Sequence, residues 1–197
     1  MTNRRARFLV VFGSLLLLFA PSWAAAHPGH VEGFDGGLLH PLMGLDHLLA
    51  MVAAGILAAR VGGRGLWLVP GAFLGAMLLG GLVAAAGLAL PGVEVGIVAS
   101  VVVLGLLIVM RRPATLGWCV AIVAPFAFFH GYVHMTEMAV SGPLVPFAAG
   151  FLLSTAVLHF AGSMGAIALQ KAWRAEAVRF IGAVIAACGV LIIAGVI

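Results

Sequence analysis

Charge is what this sequence has least of. Ten basic and six acidic residues make up 8% of its 197 positions, where a water-soluble domain carries roughly 25%. With so little polar surface to coat a globule, and a mean hydropathy of +1.24, most of the chain must be solvated by lipid. Lysine is scarcer still. Lys171 stands alone and Ala172 follows it, so no G-x-x-x-x-G-K-[ST] phosphate loop exists and nothing in the sequence points to nucleotide-driven transport by this chain alone. The two cysteines, Cys119 and Cys188, lie inside apolar runs away from any turn. They form no CxxC pair and read as small buried hydrophobes. A net charge of +4 and a pI near 10.1 do not mark a nucleic-acid binder, because the basic residues never gather into a patch among aromatics.

What is present begins with a processing signal. Arg4, Arg5 and Arg7 precede a 13-residue apolar run, Phe8 to Ala20, followed by Pro21 and Ala24-Ala25-Ala26. This is a positive n-region, a short h-region and an A-x-A site. Thirteen residues make about 20 Å of helix, less than the roughly 30 Å hydrocarbon core. Cleavage after Ala26 is expected, leaving His27 as the mature N-terminus of a single domain, residues 27–197, after a signal peptide, residues 1–26. An uncleaved anchor is the alternative; in either case the chain from residue 27 emerges on the outer side.

Six apolar segments follow, at Leu38–Ala59, Leu66–Ala89, Val93–Met110, Leu116–Met138, Leu144–Gln170 and Val178–Val196, each long enough to cross a bilayer. The expected fold is all-α, a polytopic bundle of six transmembrane helices. Arg60 and Arg64, Arg111 and Arg112, and Lys171, Arg174 and Arg179 fall in the first, third and fifth connections. The second and fourth, at Pro91-Gly92 and Ser141-Gly142-Pro143, have no basic residue. That alternation is the positive-inside pattern for an outside N-terminus and an even number of spans. The basic pI is therefore a topology signal. Gly71-xxx-Gly75 and Gly182-xxx-Ala186 are candidate sites of close helix packing. Three spans plus three would invert the halves, a transporter plan, but no sequence echo links them.

Against this apolar background stand seven histidines, His27, His30, His40, His47, His130, His134 and His159. Ionisable groups within spans cost about 2.5–3.5 kcal/mol on insertion scales and normally mark function. None of the seven lies in a cytoplasmic connection; the first six belong to the outer half and His159 near mid-depth. At 100° per residue, His40, Met43, His47 and Met51 share one face of the first span, with Asp46 at its flank. Asp46 can ligate or can orient a histidine ring from behind. Pro41 is expected in the first helical turn, where its missing N–H is harmless. In the fourth span His130, His134 and Glu137 share a face at i, i+4 and i+7, and Pro125, one turn earlier, is expected to kink the helix. Thr155, His159 and Ser163 form a polar stripe in the fifth span. The methionines Met43, Met51, Met135 and Met138 read as packing.

Imidazole with carboxylate suits Ni²⁺, Co²⁺, Zn²⁺ or Cu²⁺ and is poor for Mg²⁺ or Ca²⁺; the methionines keep Cu(I) in play. The pattern points to a metal permease with His27, His30, His40, Asp46, His47, His130, His134, Glu137 and His159 as its metal residues. Two other classes remain. An intramembrane zinc hydrolase would use the same donors around an open position, though no H-E-x-x-H is present. A non-transporting metal sensor or accessory subunit would bind metal without moving it.

The motif His40-Pro41…Gly44-x-Asp46-His47-x-x-Ala50-Met51, the mature start His27-Pro28-Gly29-His30, and His130-Gly131-x-x-His134-x-x-Glu137 resemble the HupE/UreJ family of nickel/cobalt permeases, found beside hydrogenase and urease maturation genes. The resemblance covers nearly the whole chain. The first-span element is also similar to the H-x4-D-H motif of the wider nickel/cobalt transporter group, with one residue more. Met135 stands where the family has glycine. The resemblance implies a non-enzymatic importer of Ni²⁺ or Co²⁺ in the bacterial inner membrane, its N-terminus periplasmic. It implies His40, Asp46 and His47 as metal-site residues and no catalytic cofactor. The expected partners are a divalent ion as cargo and the lipid bilayer, without nucleic acid; a homo-oligomer remains open.

Overall fold

A computed structural model of the chain describes residues 33–111, 115–138, 143–173 and 175–197. The signal peptide, His27 and His30 lie outside the described residues. Those described fold into seven α-helices with no strand: α1 (Gly33–Met43), α2 (Leu45–Val61), α3 (Gly65–Ala85), α4 (Val93–Val109), α5 (Leu116–Met138), α6 (Leu144–Ala172) and α7 (Ala175–Ile193). Four of them, α3, α5, α6 and α7, are long and apolar enough to cross a membrane, and α1 with α2 make a fifth if the bent pair counts as one span. The apolar α4 is shorter, at 17 residues. This is an all-helical, multi-pass membrane architecture.

The first predicted span is the one that departs from expectation. Instead of one helix over Leu38–Ala59, the chain forms two, bent by 84° at Gly44, whose backbone is extended (φ −98°, ψ 121°). Pro41 sits in the last turn of α1, not the first turn of a span, because the helix begins upstream at Gly33. Hydropathy cannot register this bend, since both halves are apolar. A new helix N-terminus results, and Asp46 in its first turn takes the His47 N–H at 2.8 Å, satisfying one of the donors that a helix start leaves free and complementing the helix dipole. By contrast α5 runs unbroken through Pro125 over the expected bounds.

The core is built on α2. Every residue from Leu49 to Ala59 except Val52 is buried, and its run of alanines lets neighbours approach on all sides. Those neighbours are α6, α3 and α4 and, more lightly, α1, α7 and α5. Glycines set the tightest approaches. A methyl on Gly131 would collide with the Met77 carbonyl, and one on Gly80 with the Phe128 carbonyl, so α3 and α5 cross backbone to backbone. Gly55 and Gly162 do the same for α2 and α6. Such contacts replace the hydrophobic drive that lipid removes. Gly182 and Ala186 meet Gly105 as expected of a small-xxx-small pair, whereas Gly71 and Gly75 face open space. The second pair does not pack.

At the end of α2 distant from the bend, Arg60 donates to the carbonyls of Leu107 (2.7 Å), Ile108 (2.5 Å) and Met110 (2.6 Å). Arg179 of α7 donates to the Val109 carbonyl at 2.9 Å. The two arginines read from sequence as topology signals thus also cap the C-terminus of α4, where helix carbonyls lack partners.

Candidate metal site

The 84° bend turns α1 over the C-terminal end of α5, and the result is a cluster no single helix face could make. His40 from α1, His47 from α2, and His130, His134 and Glu137 from α5 all point into one region. Ring centroids lie 4.7 Å apart for His40–His134, 4.3 Å for His47–His134 and 5.1 Å for His47–His130. The four imidazoles form a continuous contact chain in the order His40, His134, His47, His130.

Glu137 ties the mouth together. Its Oε2 lies 3.2 Å from His40 Nε2 and 3.4 Å from His134 Nδ1. One ligand atom from each of His40, His134 and Glu137 can be chosen so that all lie within 4.8 Å of one another. Around an ion bonded at about 2.0–2.2 Å, ligand atoms sit about 3–4 Å apart, so a small inward adjustment completes a His₂-carboxylate set. An open pocket of about 210 Å³, lined by His40, Met43, Gly44, His47 and Glu137, leads to it.

Hydrogen bonding decides which ring nitrogens face the site. His47 Nδ1 is 2.6 Å from Asp46 Oδ1, so the carboxylate takes the Nδ1 proton and leaves Nε2 as the free lone pair. This is the carboxylate–histidine arrangement that orients a metal-binding ring, and it places Asp46 behind the ligand. His130 Nδ1 donates to the Phe126 carbonyl at 2.9 Å, which likewise leaves Nε2 as the acceptor. That Nε2, and both nitrogens of His134 and of His159, are buried without a hydrogen-bond partner. A buried imidazole without partners is costly. Nitrogens left over on three successive rings, His134, His130 and His159, fit a group that needs lone pairs and supplies its own charge.

Exposure falls along the series. Glu137 is 52% exposed, His40 31%, His47 14% and His134 4%; His130 and His159 are sealed. The donors therefore form a funnel from surface to interior. At its floor the wholly buried Phe73 ring of α3 stands between His130 (5.9 Å) and His159 (4.7 Å). His159 belongs to the polar stripe of α6, which faces α2. Thr155 Oγ1 donates to Met51 Sδ (3.5 Å) and Ser163 Oγ to the Gly55 carbonyl (2.8 Å).

Sequence reasoning named these donors but not their frame. Phe147 and Phe151 of α6 pack against His40 and His134, with the Phe151–His134 centroids 4.2 Å apart. Neither these nor Phe73 has any sequence signal, since a phenylalanine in an apolar run is unremarkable. Met51 is packing, and Met135 lies against Gly81 of α3, away from the pocket. Met43 is not packing. It is 79% exposed and lines the pocket.

Comparison with known proteins follows this geometry. The family model described as HupE / UreJ protein matches residues 15–192. Protein HupE of Rhizobium leguminosarum bv. viciae is 39% identical over 184 residues, covering 92% of this chain and 96% of that protein. No solved structure matches the chain.

Proposed function

The chain belongs to the HupE/UreJ family, and from that premise we propose that it is a permease importing Ni²⁺ or Co²⁺ across the bacterial inner membrane for nickel-dependent enzymes. The observation that carries this reading is the convergence of His40, His134 and Glu137, with His47 and His130 behind them, on one pocket from three helices. Imidazole nitrogen and carboxylate oxygen are the donors these ions prefer.

In this reading the chain has a cleaved signal peptide and six spans, α1–α2 being the first and α4 the third, with the mature N-terminus in the periplasm. His27 and His30 capture the ion outside. Glu137 and His40 begin to replace its water at the mouth. His134 and His47 then take it inward, Asp46 holding the His47 ring, and His130 and His159 are successive stations. An inside-negative potential contributes about 4.6 kcal/mol per 100 mV to inward movement of a dication, so no nucleotide is required. The protein acts as carrier and has no catalytic role.

The exposed thioether of Met43 in the pocket favours a second reading, a transporter of the same fold for copper, since sulfur is the donor that selects Cu(I). One experiment separates the two. Full-length protein in proteoliposomes is offered Ni²⁺, Co²⁺, Zn²⁺, Cu²⁺ and Cu⁺ in turn. Uptake of Ni²⁺ or Co²⁺ that His47→Ala abolishes is the expected result. Preference for Cu⁺ would establish the second reading, and absence of any metal flux would end both.

A further inference from the structure

The funnel of donors ends well short of the far side of the bundle. Gly55 lies against the backbone of His159, and Arg60 is five residues further along α2, about 8 Å by helical rise. The side chains buried at that level, Leu57, Leu104, Ile108, Cys119 and Val123, are apolar or nearly so. Closing the end is a guanidinium whose two terminal nitrogens reach three carbonyl oxygens, those of Leu107, Ile108 and Met110. Arg179 takes the fourth, Val109. The last carbonyls of α4 are thus occupied by positive charge from α2 and α7.

Taking the transport reading above as its premise, we infer that Arg60 is the inner gate of the pathway: its guanidinium seals the exit by holding the α4 carbonyls, and metal leaves only when that hold breaks. Three features support a gate over a plain helix cap. Arg60 sits on α2, the helix that carries His47 and Asp46 at its other end, so motion at the site reaches the seal through one rigid element. The charge is of the same sign as the cargo, and repulsion between them grows in a low-dielectric interior; an ion arriving at His159 pushes against the seal. The held oxygens lie at the negative end of a helix dipole and are themselves suited to a cation once released. The donor funnel opens at the His40–Glu137 end while this end is shut, which on the transport reading is the outward-facing state.

Cys119 provides a native reporter. It lies near the start of α5, fully buried, and within electrostatic reach of Arg60. In full-length protein carrying Cys188→Ala, reconstituted in vesicles, maleimide labelling of Cys119 is followed with and without Ni²⁺, alongside Ni²⁺ uptake. With Arg60 intact, Cys119 should be protected and Ni²⁺ should speed its labelling. Arg60→Gln should label rapidly with or without Ni²⁺, losing the metal dependence. Binding of Co²⁺ to the outer donors, read from its ligand-field absorption, should be unchanged in that variant, which a merely misfolded protein would not preserve. Arg60→Lys keeps the charge without the fork and should label at an intermediate rate that still responds to Ni²⁺; it carries the test if Arg60→Gln loses the Co²⁺ spectrum. Cys119 protected in the well-folded variant, while uptake by the Arg60 protein is normal, overturns the gate alone. No uptake by the Arg60 protein overturns the transport reading instead.

Discussion

Asp46 Oδ1 lies 2.6 Å from His47 Nδ1 and 2.8 Å from the His47 backbone nitrogen. One oxygen thereby fixes the tautomer of the His47 ring and anchors the first turn of the helix that carries it. Asp46→Asn keeps the shape but offers Nδ1 a weaker acceptor. Partners of this kind are typically worth about 10–100-fold in metal affinity. The expected outcome is weaker Co²⁺ binding within that range by spectroscopic titration, with the protein folded and uptake impaired but measurable. Unchanged affinity would show that the pair serves only the helix start.

His134 touches more of the cluster than any other donor, with ring contacts to His40, His47 and His130 and a carboxylate 3.4 Å away. His134→Ala removes the middle of the imidazole chain and should abolish uptake at normal protein levels. Glu137→Gln leaves a neutral oxygen at the half-exposed mouth and should weaken capture while retaining transport at high metal concentration. Concentration-dependent uptake of radioactive nickel separates the two. Equal behaviour of both variants would argue against an ordered entry from Glu137 to His134.

Gly44 is the hinge of the bent span, and a methyl there would stand 3.0 Å from Asp46 Oδ1 and 3.1 Å from His47 Nδ1. Its backbone angles are accessible to alanine, so the fold should survive. Gly44→Ala is expected to lower metal affinity by crowding the Asp46–His47 pair, with thermal stability close to that of the parent. A large loss of stability would place the requirement for glycine in the bend itself.

Gly131 has the opposite character. It sits between His130 and His134 on the sequence, yet its role is to let α5 lie on the Met77 carbonyl of α3. Gly131→Ala forces those backbones apart, and overpacking of this kind costs about 1–3 kcal/mol. Lower thermal stability in detergent is expected, together with loss of uptake, because the ring neighbours of His130 and His134 on other helices move away. Full stability would mean that the α3–α5 crossing can yield without penalty.

Most of the helical layout could be read from the chain. Arginines, glycines and prolines punctuate long apolar runs, and the bounds of α5 follow directly from them. The first span could not be read, because its break at Gly44 joins two apolar halves and hydropathy is blind to direction. Placing His40 and His47 on one helical face therefore missed how they come together: they converge through the bend. Glycine packing was legible only where both partners lie on one helix, as at Gly182 and Ala186. Gly80 meets Phe128 and Gly131 meets Met77, partners distant in the chain that come together only across space. Phe73 carries no signal, since its importance comes from two histidines on other helices.

The shortness of α1 has an electrical consequence. At 11 residues it is about 16 Å long, half a bilayer core, and it turns aside where a full span would continue. On the transport reading the pocket beside it brings the outer medium down toward His134, while an insulating stretch runs from His130, Phe73 and His159 to Arg60. In an energised membrane the voltage falls across insulation and hardly at all across wetted space. Much of the potential difference would then fall across that stretch, and an ion moving through it would feel a steeper gradient than the thickness of the lipid suggests.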